Sequence, residues 1–161
     1  MRLKRIVWTG VFFCDFVALT ALATQPLDIQ VIAERRLVST TEAGQTVRFV
    51  KAQQVRVGEP VFFTLRVRNV GSEPIDSAVI EHSLPRNTRY IPGSAAGPAA
   101  DISFSVDGGI SYGELRDLNV NVAIGVMRQA EAADCTNIRW QLRHPLMPGA
   151  TALLRFRAEF R

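Results

Sequence analysis

The chain has 161 residues, 47% of them hydrophobic, and a formal net charge of +4 from 19 Lys and Arg against 15 Asp and Glu. That length suits one domain with a sizeable core. The charge excludes little by itself, but three basic residues and one acidic residue fall within the first 23, leaving 16 against 14, a net of +2, so a nucleic-acid-binding reading built on overall charge loses most of its support.

The chain opens with a positive segment, Arg2, Lys4 and Arg5, followed by a mostly apolar run over residues 6–22 and the small-x-small pattern Ala21-Leu22-Ala23. This predicts an N-terminal signal helix over residues 1–23, cleaved after Ala23, and hence an exported protein, periplasmic or secreted to the cell surface. Asp15 inside the run opposes a permanent span more than a transient signal, because only the span must stay in lipid. The alternative is an uncleaved helix that tethers an accessory subunit to the membrane. Phe13 before Cys14 argues against a lipoprotein, which needs a small residue there.

Residues 24–28 read as a short tether and residues 29–161 as a single domain. The run 28–38 begins with Ile29, Val31 and Ala33 on one face, and 47–57 is a second extended run beyond the turn residues Glu42-Ala43-Gly44. The stretch 58–71, GEPVFFTLRVRNVG, alternates strictly: Val61, Phe63, Leu65 and Val67 face one way, and Phe62, Thr64, Arg66 and Arg68 the other. That is a half-buried strand, closed by Asn69-Val70-Gly71. Residues 78–84 form a further strand with His82 on its apolar side, as a histidine at the edge of the core, and residues 89–91 a short one.

Residues 102–112 predict a hairpin turning at Asp107-Gly108. Its SVDGGISY run resembles the Asp-box hairpin, with Asp107 capping backbone amides as a turn staple. Leu118, Val120, Val122 and Ile124 suggest another strand, and residues 127–134, rich in good helix formers, a short helix. Residues 138–142 place Ile138, Trp140 and Leu142 inward. Residues 151–161 place Leu154, Phe156, Ala158 and Phe160 inward, to meet the opening strand's apolar face. Turn signals about every 8–14 residues predict an all-β sandwich.

Three pieces stand in fixed order. Gly58, Val61, Phe63, Thr64, Val67, Asn69 and Gly71 come first, then Leu84-Pro85 with Tyr90-Ile91-Pro92-Gly93-Ser94, then Trp140, Leu142, Leu146, Pro148 and Gly149. Over about 100 residues the chain thereby resembles the domain of unknown function eleven family, the conserved repeat domain of bacterial surface and exported proteins. The resemblance implies an immunoglobulin-like antiparallel β-sandwich outside the cytoplasm and supplies no catalytic residues. Here there is one copy, without the family's further N-x-A strand. The N-terminal run would fill that place, or else leave an edge for strand addition by a partner.

The chemistry in the sequence is sparse. No catalytic, cofactor-binding or metal-binding residues are assigned. Cys135 with His82 and His144 has no zinc-ligand spacing. Cys135 reads either as a buried apolar side chain or as a thiol for an intermolecular link. A hydrolase would rest on His82 with Asp76, His144 with Asp134, or Ser83, and none lies in a recognisable motif. The functional reading is a non-enzymatic module for binding or envelope assembly, its partner a protein or envelope component, or an anionic glycan or polymer. The candidate face is Arg66, Arg68, Arg139, Arg143, Arg155 and Arg157, set against the alternative of scattered arginines paired with Glu34, Glu81 and Glu159.

Overall fold

The computed structural model describes residues 26–41 and 44–161, so the predicted signal segment 1–23 lies outside the described residues. In chain order the strands are β1 (Leu27–Thr41), β2 (Gly44–Lys51), β3 (Pro60–Asn69), β4 (Val79–Ser83), β5 (Thr88–Tyr90), β6 (Ala100–Ser105), β7 (Asn119–Ala123), β8 (Val126–Gln129), β9 (Asn137–Leu142) and β10 (Thr151–Phe160). The protein is all-β, and its named pairings are antiparallel. One sheet runs β2-β1-β3-β10-β5, a second β4-β9-β6, and β7 and β8 form a separate ribbon. Among the described residues no helix is long and apolar enough to cross a membrane.

The period-2 pattern of β3 explains the architecture. Val61, Phe63, Leu65, Val67 and Asn69 are buried while Arg66 and Arg68 between them are exposed. Strand β10 repeats the arrangement, burying Ala152, Leu154, Phe156 and Ala158. Cross-strand register sets like against like, with Leu65 opposite Leu154 and Phe63 opposite Phe156. The Phe63 and Phe156 rings stack 4.7 Å apart. The second sheet supplies Ile80, Ile138, Trp140 and Leu142 to the same core, and Trp140 lies 6.2 Å from the Phe156 ring. Each fully buried Leu, Ile or Phe contributes about 2 kcal/mol of apolar transfer. Gly97 lets the chain pass close above this contact, since a Cβ there would stand 2.8 Å from Leu154 Cδ2.

Asn69, at the end of β3, is fully buried. Its Nδ2 donates to the carbonyls of Glu73 and Leu146, both at 2.8 Å, and its Oδ1 accepts from Gly71 N at 2.9 Å. One side chain thus ties the end of β3 to its own turn and to the corner that leads into β10.

The structure corrects several local expectations. Strand β1 starts at Leu27, inside the stretch read as a tether. Strand β2 spans Gly44–Lys51 rather than 47–57, because the chain leaves β1 after the Ala52 N to Ala33 O hydrogen bond. The N-terminal run covers the edge of β3, where Leu27 to Arg35 pair with Asn69 to Val61. The 102–112 hairpin does not form as a strand pair. Strand β6 pairs with β9, and only an isolated Phe104–Gly113 bridge closes the loop. The loop is the expected staple: Asp107 Oδ1 accepts from Ser105 Oγ and from the backbone of Ile110 and Ser111, and these bonds hold its carboxyl well below the ordinary carboxylate range. The helix expected over 127–134 is replaced by β8 and a short 3-10 turn, Ala132–Asp134. Gly125, at φ 73°, turns β7 back on β8, and cross-strand pairing outweighs the helix propensity of that run. Phe160 is only partly buried.

Asn69→Ala removes the bonds to the Glu73 and Leu146 carbonyls and leaves Gly71 N without its acceptor. It is expected to lower unfolding free energy by about 3 kcal/mol in urea titrations, with an unchanged denaturant slope.

Candidate binding face

The side chains that β3 and β10 do not bury form one outer face of the five-stranded sheet. Register places Arg66 opposite Leu153, Arg68 opposite Thr151, Arg155 opposite Thr64 and Arg157 opposite Phe62. Four of the six candidate arginines therefore share a face, and all four are exposed. None of the four has a carboxylate within ion-pairing distance among the described residues. Six other arginines do: Arg35 with Glu59, Arg89 with Glu159, Arg116 with Glu114, Arg128 with Asp134, Arg139 with Glu81 and Arg143 with Asp101. Of the expected neutralising partners, Glu81 is taken by Arg139, as the alternative reading has it for that candidate, and Glu159 by Arg89. Glu34 remains on the face, opposite Phe62.

Arg139 and Arg143 do not join this face. They belong to β9 and the corner after it, in the second sheet. Arg139 lies 3.6 Å above the Tyr112 ring and bonds Glu81, while Arg143 holds Asp101 and keeps that carboxyl below its ordinary range.

A groove of about 410 Å³ indents the outer face at the Phe62 end. Phe62 and Thr64 lie along it, Arg155 and Arg157 stand on the β10 side, and Glu34 and Phe49 on the β1–β2 side. The Phe49 ring meets Phe62 edge-on at 5.1 Å, and the Arg157 guanidinium lies 5.9 Å from the Phe62 ring centre. The far wall is the segment after β5. There Ser94 Oγ accepts from Arg157 N at 2.9 Å, and Ala96 bridges Arg155. Cationic groups thus stand over an apolar, aromatic floor, an arrangement suited to a carboxylate or phosphate carried on an apolar or ring-shaped body. The face is anchored at both backbones, since every outward arginine alternates with a buried neighbour.

Sequence reasoning missed Phe49 and Ser94 as parts of the face. Phe49 reaches Phe62 only because β1 lies between β2 and β3, a pairing with no local signal.

The remaining reactive groups are accounted for by packing. His82 points into the core margin, 5.6 Å from the Phe156 ring, and burial lowers its pKa from the ordinary histidine value. His144 is exposed, and Asp134 is held by Arg128 and by Glu131 N. Ser83 Oγ accepts from Asn137 Nδ2. Cys135 is buried, with its thiol pushed up to about 12, which favours the apolar reading over the cross-linking one. Among the described residues no cluster of three metal-ligating side chains occurs.

The chain matches no protein-family model. It matches no curated protein either.

Because the folded state depresses the His82 pKa, the neutral form contributes stability that is intact above about pH 6.5 and is lost as pH falls below it. The thermal midpoint is expected to drop between pH 7 and 5, and His82→Gln to flatten that drop, as scanning calorimetry across pH would read.

Proposed function

We propose that this protein is a non-enzymatic, exported immunoglobulin-like β-sandwich of the conserved-repeat type, which binds an anionic component of the cell envelope through the outer face of its five-stranded sheet. The observation that carries the reading is the gathering of four arginines on one face. Six arginines elsewhere are neutralised by carboxylates, and of those that are not, Arg66, Arg68, Arg155 and Arg157 line one face beside an aromatic groove. A cationic strip of this kind favours repeated carboxylates or phosphates, as on an acidic glycan or polymer, or on an acidic protein surface. The two antiparallel sheets around one core support the sandwich reading, as does the ordered set Gly58–Gly71, Tyr90–Ser94 and Trp140–Gly149. A non-enzymatic role is supported by the settings of the two histidines, one packed on Phe156 and one exposed with its proposed partner Asp134 held by Arg128.

Export rests on the charged and apolar pattern of residues 1–23. Mass spectrometry of the chain recovered from the producing cell is expected to show an N-terminus at Thr24. A Met1-containing chain in the membrane fraction would replace the free module with the tethered accessory subunit.

Polygalacturonate is a suitable probe for the face. Replacing Arg66, Arg68, Arg155 and Arg157 together with alanine is expected to weaken its binding about 30-fold, from roughly 0.5 kcal/mol for each exposed charge contact. Arg139→Ala and Arg143→Ala should leave it unchanged, and raising salt should weaken the unaltered protein more than the quadruple variant. Equal affinity of the quadruple variant and the unaltered protein for this probe and for envelope fractions would remove the proposal.

A further inference from the structure

Strand β1 changes partners along its length. Residues from Leu27 to Arg35 pair with β3, and from Arg36 to Thr41 the strand pairs with β2 alone. Residues 36–41 and 44–49 thus form a two-stranded ribbon beyond the five-stranded sheet. Such a ribbon is marginal in water without a third strand or a packed face. This one leaves Leu37, Val38, Val47 and Phe49 between 39% and 52% exposed. The outer edge of β2 carries no further strand among the described residues. Edges are ordinarily blunted by shortness, charge, proline or a bulge. Strand β2 has eight residues in unbroken register with β1, contains no proline, and carries only the charges of Arg48 and Lys51.

The chemistry along that edge is specific. Alternation sets Val47 and Phe49 on one face of β2, the face shared with Phe62 and, at the inner end of the ribbon, with Arg36 and Lys51, and sets Arg48 on the opposite face. The twelve ribbon residues include Arg36 and Arg48 and no carboxylate. Neither arginine has an ion-pair partner among the described residues. A second copy pairing edge to edge would set side by side two strands that each carry Arg48 and Lys51 and no carboxylate, and like charges in neighbouring strands are unfavourable. An incoming strand with apolar residues on the Phe49 face and carboxylates on the Arg48 face satisfies both faces and the open backbone.

We propose that the outer edge of β2 receives an added strand from an acidic partner protein, an extended segment in which apolar residues alternate with Asp or Glu. Main-chain hydrogen bonds supply the affinity, and the two faces of β2 select the alternation. The partner strand lies beside Phe49 and so extends one wall of the Phe62 groove. This inference does not depend on the arginine face, because its residues belong to β2.

The test uses the protein recovered from the producing cell and a labelled ten-residue peptide alternating valine and glutamate. Fluorescence anisotropy and amide hydrogen exchange over residues 45–50 are the readouts. Expected are saturable binding with slowed exchange at β2 and at least tenfold weaker binding to Arg48→Glu. Binding should be lost for a valine–lysine peptide and for the valine–glutamate peptide N-methylated at alternate residues. Arg155→Ala and Arg157→Ala together should bind the peptide normally, which separates this edge from the polymer-binding face. Equal binding of the N-methylated or lysine peptide overturns strand addition, as does failure of the valine–glutamate peptide to bind. Strong protection, in the protein alone, of the β2 amides that point away from β1 also overturns it, since the edge would then be occupied by residues 1–25 or by a second copy.

Discussion

The two-residue period shared by β3 and β10 is the constraint on which the rest of the structure depends. It buries Val61, Phe63, Leu65 and Val67 against Leu154, Phe156 and Ala158, and by the same geometry turns Arg66, Arg68, Arg155 and Arg157 outward. A slip of one residue in either strand would exchange its two faces and push unpaired guanidinium groups into the core. The arginines therefore act against misregistration as well as forming the candidate face. The fold and the candidate face draw on a single alternation.

What holds that alternation in place comes from far along the chain. Asn69 fixes the end of β3 through Leu146, and Trp140 from the second sheet packs near Phe156 from the first. Ser94 and Ala96 bind the backbone of β10 on its other side. The outer face is thereby mounted on strands whose backbones are restrained from three directions. Side chains on such a mount lose little further backbone freedom when a ligand arrives, which is the advantage of placing a site on strands rather than loops.

Alternation was legible wherever apolar residues recur at every second position, in the buried strands β3, β9 and β10 and also in the largely exposed β7. β3, β9 and β10 show alternation because burial selected it. β8 is exposed throughout, so its residues showed only helix-forming composition, and the turn at Gly125 that makes it a strand carries no periodic signal. Alternation identifies faces but not sheets, which is why Arg139 and Arg143 looked equivalent to Arg155 and Arg157 until topology assigned β9 to the other sheet. Asn69 read correctly as a turn residue, but its bond to Leu146 spans 77 positions and lies beyond any local pattern. The groove is likewise a product of long-range pairing, since Phe49 and Phe62 meet only through the intervening β1.

The handover of β1 from β3 to β2 has a mechanical consequence. A partner that grips the ribbon and pulls along its axis does not peel β1 away one hydrogen bond at a time. The load enters β1 at Arg36 and is shared by the nine residue pairs from Leu27–Asn69 to Arg35–Val61, which must give way together in shear. The ribbon is thus a handle whose shaft runs through the sheet, and its strength under tension is set by the ladder to β3 rather than by the ribbon itself.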